Sequence, residues 1–286
     1  VKIMSGVSIP PRAPIMLRGY YIRTAIMRDV VRKFLRFDCS TPEKEDNKRR
    51  QIVNLGAGFD TLFFWMQNNG LATQNVQYYE LDFLPVFQRK VNALSKQKTL
   101  LQTIGKEDAL QLNIQEGTLH SPQYNILPTD LRDINLVTKQ LLENKFDTQI
   151  PTLFLSECVL IYMKPEHSQA IVKWIRNNLT TAFFSCYEQI RPNDAFGRVM
   201  VQNLERRGCA LQGLEAFPDE NAQVRRFLDE HWERAECYNM NIMYHKYIDS
   251  DDRRRIERLQ MLDEWEEWNL INDHYCISWA MFNRNE

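Results

Sequence analysis

Residues 53–60, Val53-Asn54-Leu55-Gly56-Ala57-Gly58-Phe59-Asp60, place two glycines one residue apart directly after a short apolar run. The first glycine allows a sharp turn at a strand end, and the second lets the backbone approach a ligand with no Cβ in the way. In doubly wound sheets this turn lies at the switch point where nucleotide-like ligands bind. A dinucleotide fingerprint also needs a small residue at position 61 to seat the following helix against pyrophosphate. Thr61 stands there, which disfavours NAD.

Acidic residues follow in a telling order. The next strand-like run ends in Glu80-Leu81-Asp82, and a carboxylate at such a tip accepts both hydroxyls of a ribose. Glu80 and Asp82 share one face of the strand, so either is a candidate from spacing alone. Asp130-Leu131 follow the third strand, where an acidic side chain would meet an adenine amino group. A fourth apolar run carries Ser156-Glu157-Cys158, and a carboxylate in such a setting is costly without a partner. Together these groups suggest a nucleoside cofactor other than NAD.

The elements that must hold them alternate. Strands are expected at Gln51–Leu55, Val76–Asp82, Tyr124–Leu131, Thr152–Met163 and Thr181–Ile190. Helices are expected at residues 59–69, at Leu84–Leu94, and from Pro165 to Asn178, where proline suits a first turn. This alternation predicts βαβ units and a parallel sheet, an α/β fold. Upstream, Tyr20–Phe37 places Ile22, Ile26, Met27, Val30, Val31, Phe34 and Leu35 on one helical face, and a polar, charged linker (39–50) follows it. Beyond Pro192 the alternation weakens. Ser250–Leu270 has helical spacing, and strand-like runs at Ala235–Tyr247 and His274–Phe282 flank it as a possible antiparallel edge.

The 286 residues fit one large domain or two small ones, and 36 basic against 37 acidic residues give a formal charge of −1. That balance disfavours a nucleic-acid partner, whose phosphates call for a basic excess. No stretch approaches the roughly 18 apolar residues that span a bilayer, and Val1–Met4 does not begin a signal peptide. The six cysteines are scattered, with no metal-ligand spacing, and read as reduced thiols of a cytoplasmic protein.

Longer segments then carry a resemblance. Arg18-Gly19-Tyr20-Tyr21-Ile22-Arg23-Thr24, the glycine turn from Gln51 to Asp60, Glu80-Leu81-Asp82-Phe83, Asp130-Leu131-Arg132-Asp133 and Pro151–Met163 all contribute. So do Tyr187-Glu188-Gln189, Asp194-Ala195-Phe196-Gly197 and Leu259-Gln260-Met261-Leu262-Asp263-Glu264. Through them the chain, from about Ala13 to Ala280, resembles the leucine carboxyl methyltransferases. These S-adenosylmethionine-dependent enzymes methylate the C-terminal leucine of the protein phosphatase 2A catalytic subunit. The glycine turn is generic, whereas the RGYYIRT and SECVLIYM segments are specific.

The resemblance implies a class I methyltransferase fold, a mostly parallel seven-stranded sheet with its last strand antiparallel, flanked by helices and with helical additions. It implies S-adenosylmethionine as cofactor, methyl ester formation that regulates phosphatase assembly, and a monomer with no nucleic-acid or membrane partner. It assigns Arg23 to the carboxylate of the cofactor's methionine part, Gly56 to its flank, Asp82 to the ribose, Asp130 and Leu131 to the adenine, and Glu157 to the amino group. Asp82 is thereby preferred to Glu80. The chain is expected to be one domain, 1–286. Within it, 1–37 forms a helical lid that touches the cofactor, 51–190 the nucleoside-binding core, 192–250 a substrate-facing insertion and 251–286 a helix and edge strand. Val1–Pro11 departs from the Ser-Lys-bearing segment that the family keeps there.

A C-terminal carboxyl, with an ordinary pKa of about 3.3–3.7, is already ionised near neutrality, so the reaction needs no general base. The five histidines then need no catalytic role. Tyr162 and Tyr187 are the candidates to hold the leucine carboxylate, with Arg191 secondary. Two other readings compete: a non-catalytic nucleoside-binding or phosphatase-docking module, and a nucleic-acid methyltransferase. Against the latter, Ile9-Pro10-Pro11-Arg12 is misplaced for an Asn/Asp-Pro-Pro-Tyr motif.

Overall fold

The computed structural model describes residues 12–37 and 49–284. Helix α1 (Pro14–Arg36) starts at a proline that cannot donate and need not, since first-turn N–H groups have no intrahelical partner. It begins six residues before the apolar periodicity suggests, and buries Ile15, Arg18, Ile22, Ile26, Met27, Val31 and Phe34 along one stripe. Lys33 and Arg36 in its last turn complement the negative end of the helix dipole.

The sheet follows as β1 (Arg50–Leu55), α2 (Leu62–Asn68), β2 (Val76–Asp82), α3 (Leu84–Ser95) and α4 (Lys98–Ile104). Next come β3 (Gln111–Asn113), β4 (Thr118–His120), β5 (Tyr124–Pro128), α5 (Ile134–Glu143), β6 (Thr152–Glu157), α6 (Pro165–Asn178) and β7 (Thr181–Gln189). The chain closes with α7 (Ala195–Arg206), α8 (Glu220–Leu228), β8 (Arg234–Asn239), α9 (Ser250–Leu259), α10 (Trp265–Asp273) and β9 (Tyr275–Asn283). Strand order is β3-β4-β5-β2-β1-β6-β7-β9-β8. The five strands β5, β2, β1, β6 and β7 run parallel, and β9 runs antiparallel between β7 and β8. The seven expected strands are therefore present, with a short β3–β4 hairpin added at one edge.

Alternate residues face opposite cores, as a sheet covered on both sides requires. Ile52, Tyr78, Leu153 and Leu155 join α1, α2 and α3 on one face, while Val53, Leu55, Tyr79, Leu81 and Phe154 meet α5, α6 and α8 on the other. Among the described residues, no helix is long and apolar enough to cross a membrane.

Several expected boundaries shift for local reasons. The run 152–163 stops being a strand at Glu157, because Cys158 turns with φ of 55° and a 3-10 turn, Leu160–Tyr162, follows. The run 250–270 is two helices, since Gln260 is extended and its carbonyl accepts from Arg18 Nη2 at 3.0 Å. Ala235–Tyr247 is strand only to Asn239, whose side chain accepts from Ile242 N and starts a helical turn. The 9-residue β9 is interior rather than an edge. Most of the charged linker and Val1–Pro11, with the expected lid contact, lie outside the described residues.

Beneath the glycine turn lies a buried ion pair, Lys90 with Glu80, both side chains 0% exposed. Lys90 also donates to the Asp60 carbonyl at 3.0 Å, tying α3 to the turn. Burial pushes the Glu80 carboxyl up to about 7, against the pull of Lys90. Lys90→Met is expected to destabilise the fold by about 3–5 kcal/mol by leaving a buried carboxylate alone. Lys90→Met/Glu80→Gln should recover most of that loss in urea unfolding.

Candidate functional site

The C-terminal ends of the parallel strands converge where β1 and β2 meet β5 and β6. Gly56 and Gly58 take φ of 65° and 52°, a region costly for residues with a Cβ. The turn is pinned on both sides. Gly56 N and Ala57 N donate to Leu81 O at 2.7 and 3.2 Å, while Asn54 donates to Asp60 Oδ2 at 2.7 Å. Asp60 Oδ1 then accepts from Thr61 N and Leu62 N, orienting the start of α2. A Cβ on Gly56 would lie 2.4 Å from Val159 Cγ2, so the β1 and β6 loops touch here without room for a side chain.

Asp82 stands at the tip of β2. Its Oδ2 accepts from Gly58 N and its Oδ1 from Phe83 N, both at 2.7 Å. Each oxygen keeps further lone-pair capacity, as a partner for a vicinal diol must. Burial raises the Asp82 carboxyl, opposed by those two N–H groups. Glu80 is consumed by Lys90 in the core, which separates two residues that the strand alternation leaves equivalent.

Beside this turn is a cavity of about 400 Å³. It brings together Gly56, Asp82, Asp130, Leu131 and Tyr162, with Phe83, Cys158, Val159 and Met163 as apolar walls. Asp130 is held by Arg132 through three contacts of 2.6–3.1 Å. That hydrogen-bonded partner keeps the Asp130 carboxyl below its usual range. Arg132 in turn lies over the Phe83 ring at 5.6 Å. Phe83 is a wall that sequence reasoning assigned no role, although an aromatic residue directly after the ribose-type acid is visible in the motif. His167 also lines the cavity.

Arg23, Glu157 and Tyr187 are absent from that lining and sit behind Cys158. The Arg23 side chain leaves α1 to pair with the Glu157 carboxylate at the end of β6. Burial works against both charges, raising the Glu157 carboxyl. The Glu157 carboxylate more than offsets burial at Arg23, which stays above its usual range. The Tyr187 ring lies under the guanidinium, 4.9 Å from it, and stacks on Tyr275 at 5.3 Å. Tyr187 is thus a platform for Arg23. Cys158 donates its N–H to Tyr187 O at 2.7 Å, and burial pushes its thiol up to about 12, which leaves it unreactive.

Of the two nominated tyrosines, only Tyr162 reaches the cavity. Gln189 lies near both the Tyr162 and the Tyr275 hydroxyls, and neither Gln189 nor Tyr275 lines the cavity. Tyr162, Gln189 and Tyr275 form a cluster of polar groups that sequence reasoning missed in two of its three members. Gln189 and Tyr275 become neighbours only through the β7–β9 register, where they are direct partners. Arg191 is not in the site: it is paired with Glu220 at 2.7 Å and sits 4.0 Å from Asp273, while its N–H donates to Pro218 O.

Chemically, a guanidinium beside a carboxylate complements the two charges of an α-amino acid, and a strand-tip carboxylate complements a ribose. Asp130, Leu131 and Phe83 offer an acceptor and apolar surface for a base. The residues present therefore fit a nucleoside bearing an amino acid tail.

Comparison with known proteins gives this arrangement its relatives. A model of the leucine carboxyl methyltransferase family matches residues 6–176. Leucine carboxyl methyltransferase 1 homolog of Arabidopsis thaliana is 40% identical over 270 residues, covering 94% of this chain and 78% of that protein. Leucine carboxyl methyltransferase 1 of Rattus norvegicus is 37% identical over 272 residues with the same coverages, 94% and 78%. The Homo sapiens tRNA wybutosine-synthesizing protein 4 is 38% identical over 270 residues, and the chain spans only 38% of that protein. Among solved structures, a methyltransferase-like protein from Thermobifida fusca superposes with a TM-score of 0.55 at 13% identity, over 92% of this chain and 81% of that one. The plantazolicin methyltransferase gives 0.50 at 10% identity, over 94% and 90%. At such identities the two structures speak for the fold, a class I methyltransferase fold.

Proposed function

The chain belongs to the leucine carboxyl methyltransferase family, and from that premise we propose that it uses S-adenosylmethionine to esterify the C-terminal leucine of the protein phosphatase 2A catalytic subunit. The observation that supports this reading is that the C-terminal ends of β2 and β6, on either side of β1, carry Asp82 in the cavity wall and Glu157 paired with Arg23 outside it. Arg23, Glu157 and Asp82 match, in order, the carboxylate, ammonium and ribose of that cofactor. Asp130, Leu131 and Phe83 would take the adenine.

When bound, the cofactor supplies a methyl carbon made electrophilic by its sulfonium. The leucine carboxylate donates an oxygen lone pair to that carbon. Arg23, Glu157 and Asp82 would hold the methyl donor, and a carboxylate already ionised would need no residue to take up a proton as the methyl ester forms. The chain's own task is to align the carboxylate without blocking the attacking oxygen. Tyr162, which lines the cavity, has a hydroxyl donor suited to it. Such alignment supplies on the order of 7–11 kcal/mol.

On this reading, residues 1–286 act as one cytoplasmic, monomeric methyltransferase domain in which 192–250 faces the phosphatase, and methylation regulates phosphatase assembly. Five cysteines among the described residues are free thiols, in keeping with that compartment.

The test is transfer of labelled methyl from S-adenosylmethionine to the intact phosphatase catalytic subunit, to a copy lacking its terminal leucine, and to total tRNA. Label on the intact subunit alone is expected. Equal label on both subunits would refute carboxyl methylation. Label on tRNA alone would favour the reading suggested by the tRNA wybutosine-synthesizing relative. No transfer despite cofactor binding would favour a docking module.

A further inference from the structure

We propose that Glu188, which faces Arg226 of α8, is a positioning residue that fixes the loop after β6 in its cofactor-binding shape. The proposal rests on the cofactor reading above. Glu188 and Arg226 are both 0% exposed, on different elements, and neither reaches the cavity.

The Glu188 Oε1 accepts from Val159 N at 3.1 Å, and the Leu160 and Ile161 N–H groups lie near enough to help lower its carboxyl. These are first-turn donors of the 3-10 turn Leu160–Tyr162, which by its own geometry leaves them unpartnered. A capping side chain normally comes from the residue just before the turn. Val159 sits there and offers none, so a carboxylate from β7 does the capping instead. The capped loop supplies Cys158, Val159, Tyr162 and Met163 to the cavity wall and carries the positive φ of Cys158. An unusual backbone conformation persists only where its surroundings over-determine it.

The pair is poorly made as a source of stability. Arg226 Nη1 lies 3.7 Å from Glu188 Oε2, beyond hydrogen-bond reach. Among the described residues, Glu188 Oε2 and Arg226 Nε and Nη2 have no hydrogen-bond partner. Arg226 is instead located by Gln223 Oε1 at 3.1 Å and by the Phe217 ring at 3.7 Å. Burial accordingly pushes the Glu188 carboxyl up to about 7 despite Arg226 and the three N–H groups. Buried pairs of this kind seldom stabilise more than apolar replacements would. What they do here is present a negative charge to three backbone donors at the edge of the site. The otherwise puzzling segment 192–250 thereby gains a role, since it delivers Arg226 and Phe217.

The test uses E188Q, R226M and the double variant E188Q/R226M, with S-adenosylhomocysteine affinity measured by calorimetry and unfolding measured in parallel. R226M strands a buried carboxylate and should lower stability, and E188Q/R226M should restore it. If Glu188 positions the loop, E188Q and the double variant should both bind S-adenosylhomocysteine about 10-fold more weakly than the parent. The KM for cofactor should rise, with the KM for the protein substrate unchanged. A double variant as stable as the parent that binds S-adenosylhomocysteine equally well would overturn the proposal. Failure of the parent chain itself to bind S-adenosylhomocysteine would instead refute the cofactor reading on which it rests.

Discussion

Arg23→Ala should weaken S-adenosylhomocysteine binding by about 100-fold or more, measured calorimetrically. Two losses combine. The charge-assisted bonds that a guanidinium makes to a carboxylate disappear, and these are about twice as strong as neutral ones. Glu157, already disfavoured as an anion by burial, also loses its counter-charge. Removal of one partner from such a pair strands the other, at a cost larger than the net worth of the pair. Arg23→Lys should recover only part of the affinity, because an ammonium lacks the planar fork and stacks less well over Tyr187. Unchanged affinity in Arg23→Ala would remove this residue from the site.

The second large effect is expected at a position outside the cavity lining. Gly197 opens α7 where the chain folds back on itself, and a Cβ there would lie 1.9 Å from the Arg191 carbonyl oxygen. Backbone on one side and backbone on the other leave nothing soft to yield. Asp194 fixes the same corner by accepting from Gly197 N at 2.7 Å. It also meets the ring of buried His274 at 2.9 Å. Gly197→Ala must either break that cap or move α7, whose Met200, Val201 and Leu204 pack with Ile161 and Tyr162. A loss of about 3 kcal/mol or more in urea unfolding is expected, at the upper end for overpacking. Parent-like stability would show that the corner opens easily.

How far the sequence led depends on how local each signal is. The Gly56–Gly58 turn, the Asp82 tip and the Asp130 position are set within one strand and the turn after it, so spacing was enough to find them. Glu80 against Asp82 was not decidable that way. Only the packing of α3 shows that Lys90 takes Glu80. The pairing of Arg23 with Glu157 joins residues 134 positions apart, and nothing in either segment alone announces it. Gln189 and Tyr275 needed the β7–β9 register. Nothing in the Tyr187-Glu188-Gln189 segment alone announces a role for Glu188, because its partners lie at a 3-10 turn and on a distant helix. Segment 192–250 was least legible, since its buried apolar residues, Phe227, Met240, Met243 and Tyr244 among them, fall in several short elements and join two different clusters.

The position of β9 has a consequence for how the molecule assembles. β7 and β8 are not paired with each other: β7 has β6 on one side, and residues 275–283 lie between β7 and β8. During synthesis, both must wait with exposed ladder edges until that late strand emerges and inserts between them. Loop closure over such separations is slow, and an unpaired strand edge invites association with other chains. The half of the sheet from β5 to β7 can form early around the nucleoside-type turn. Tyr275 arrives with β9, so the polar cluster around Gln189 is completed only in the last folding step. A nascent or truncated chain would therefore acquire its glycine turn well before its last two strand pairings close.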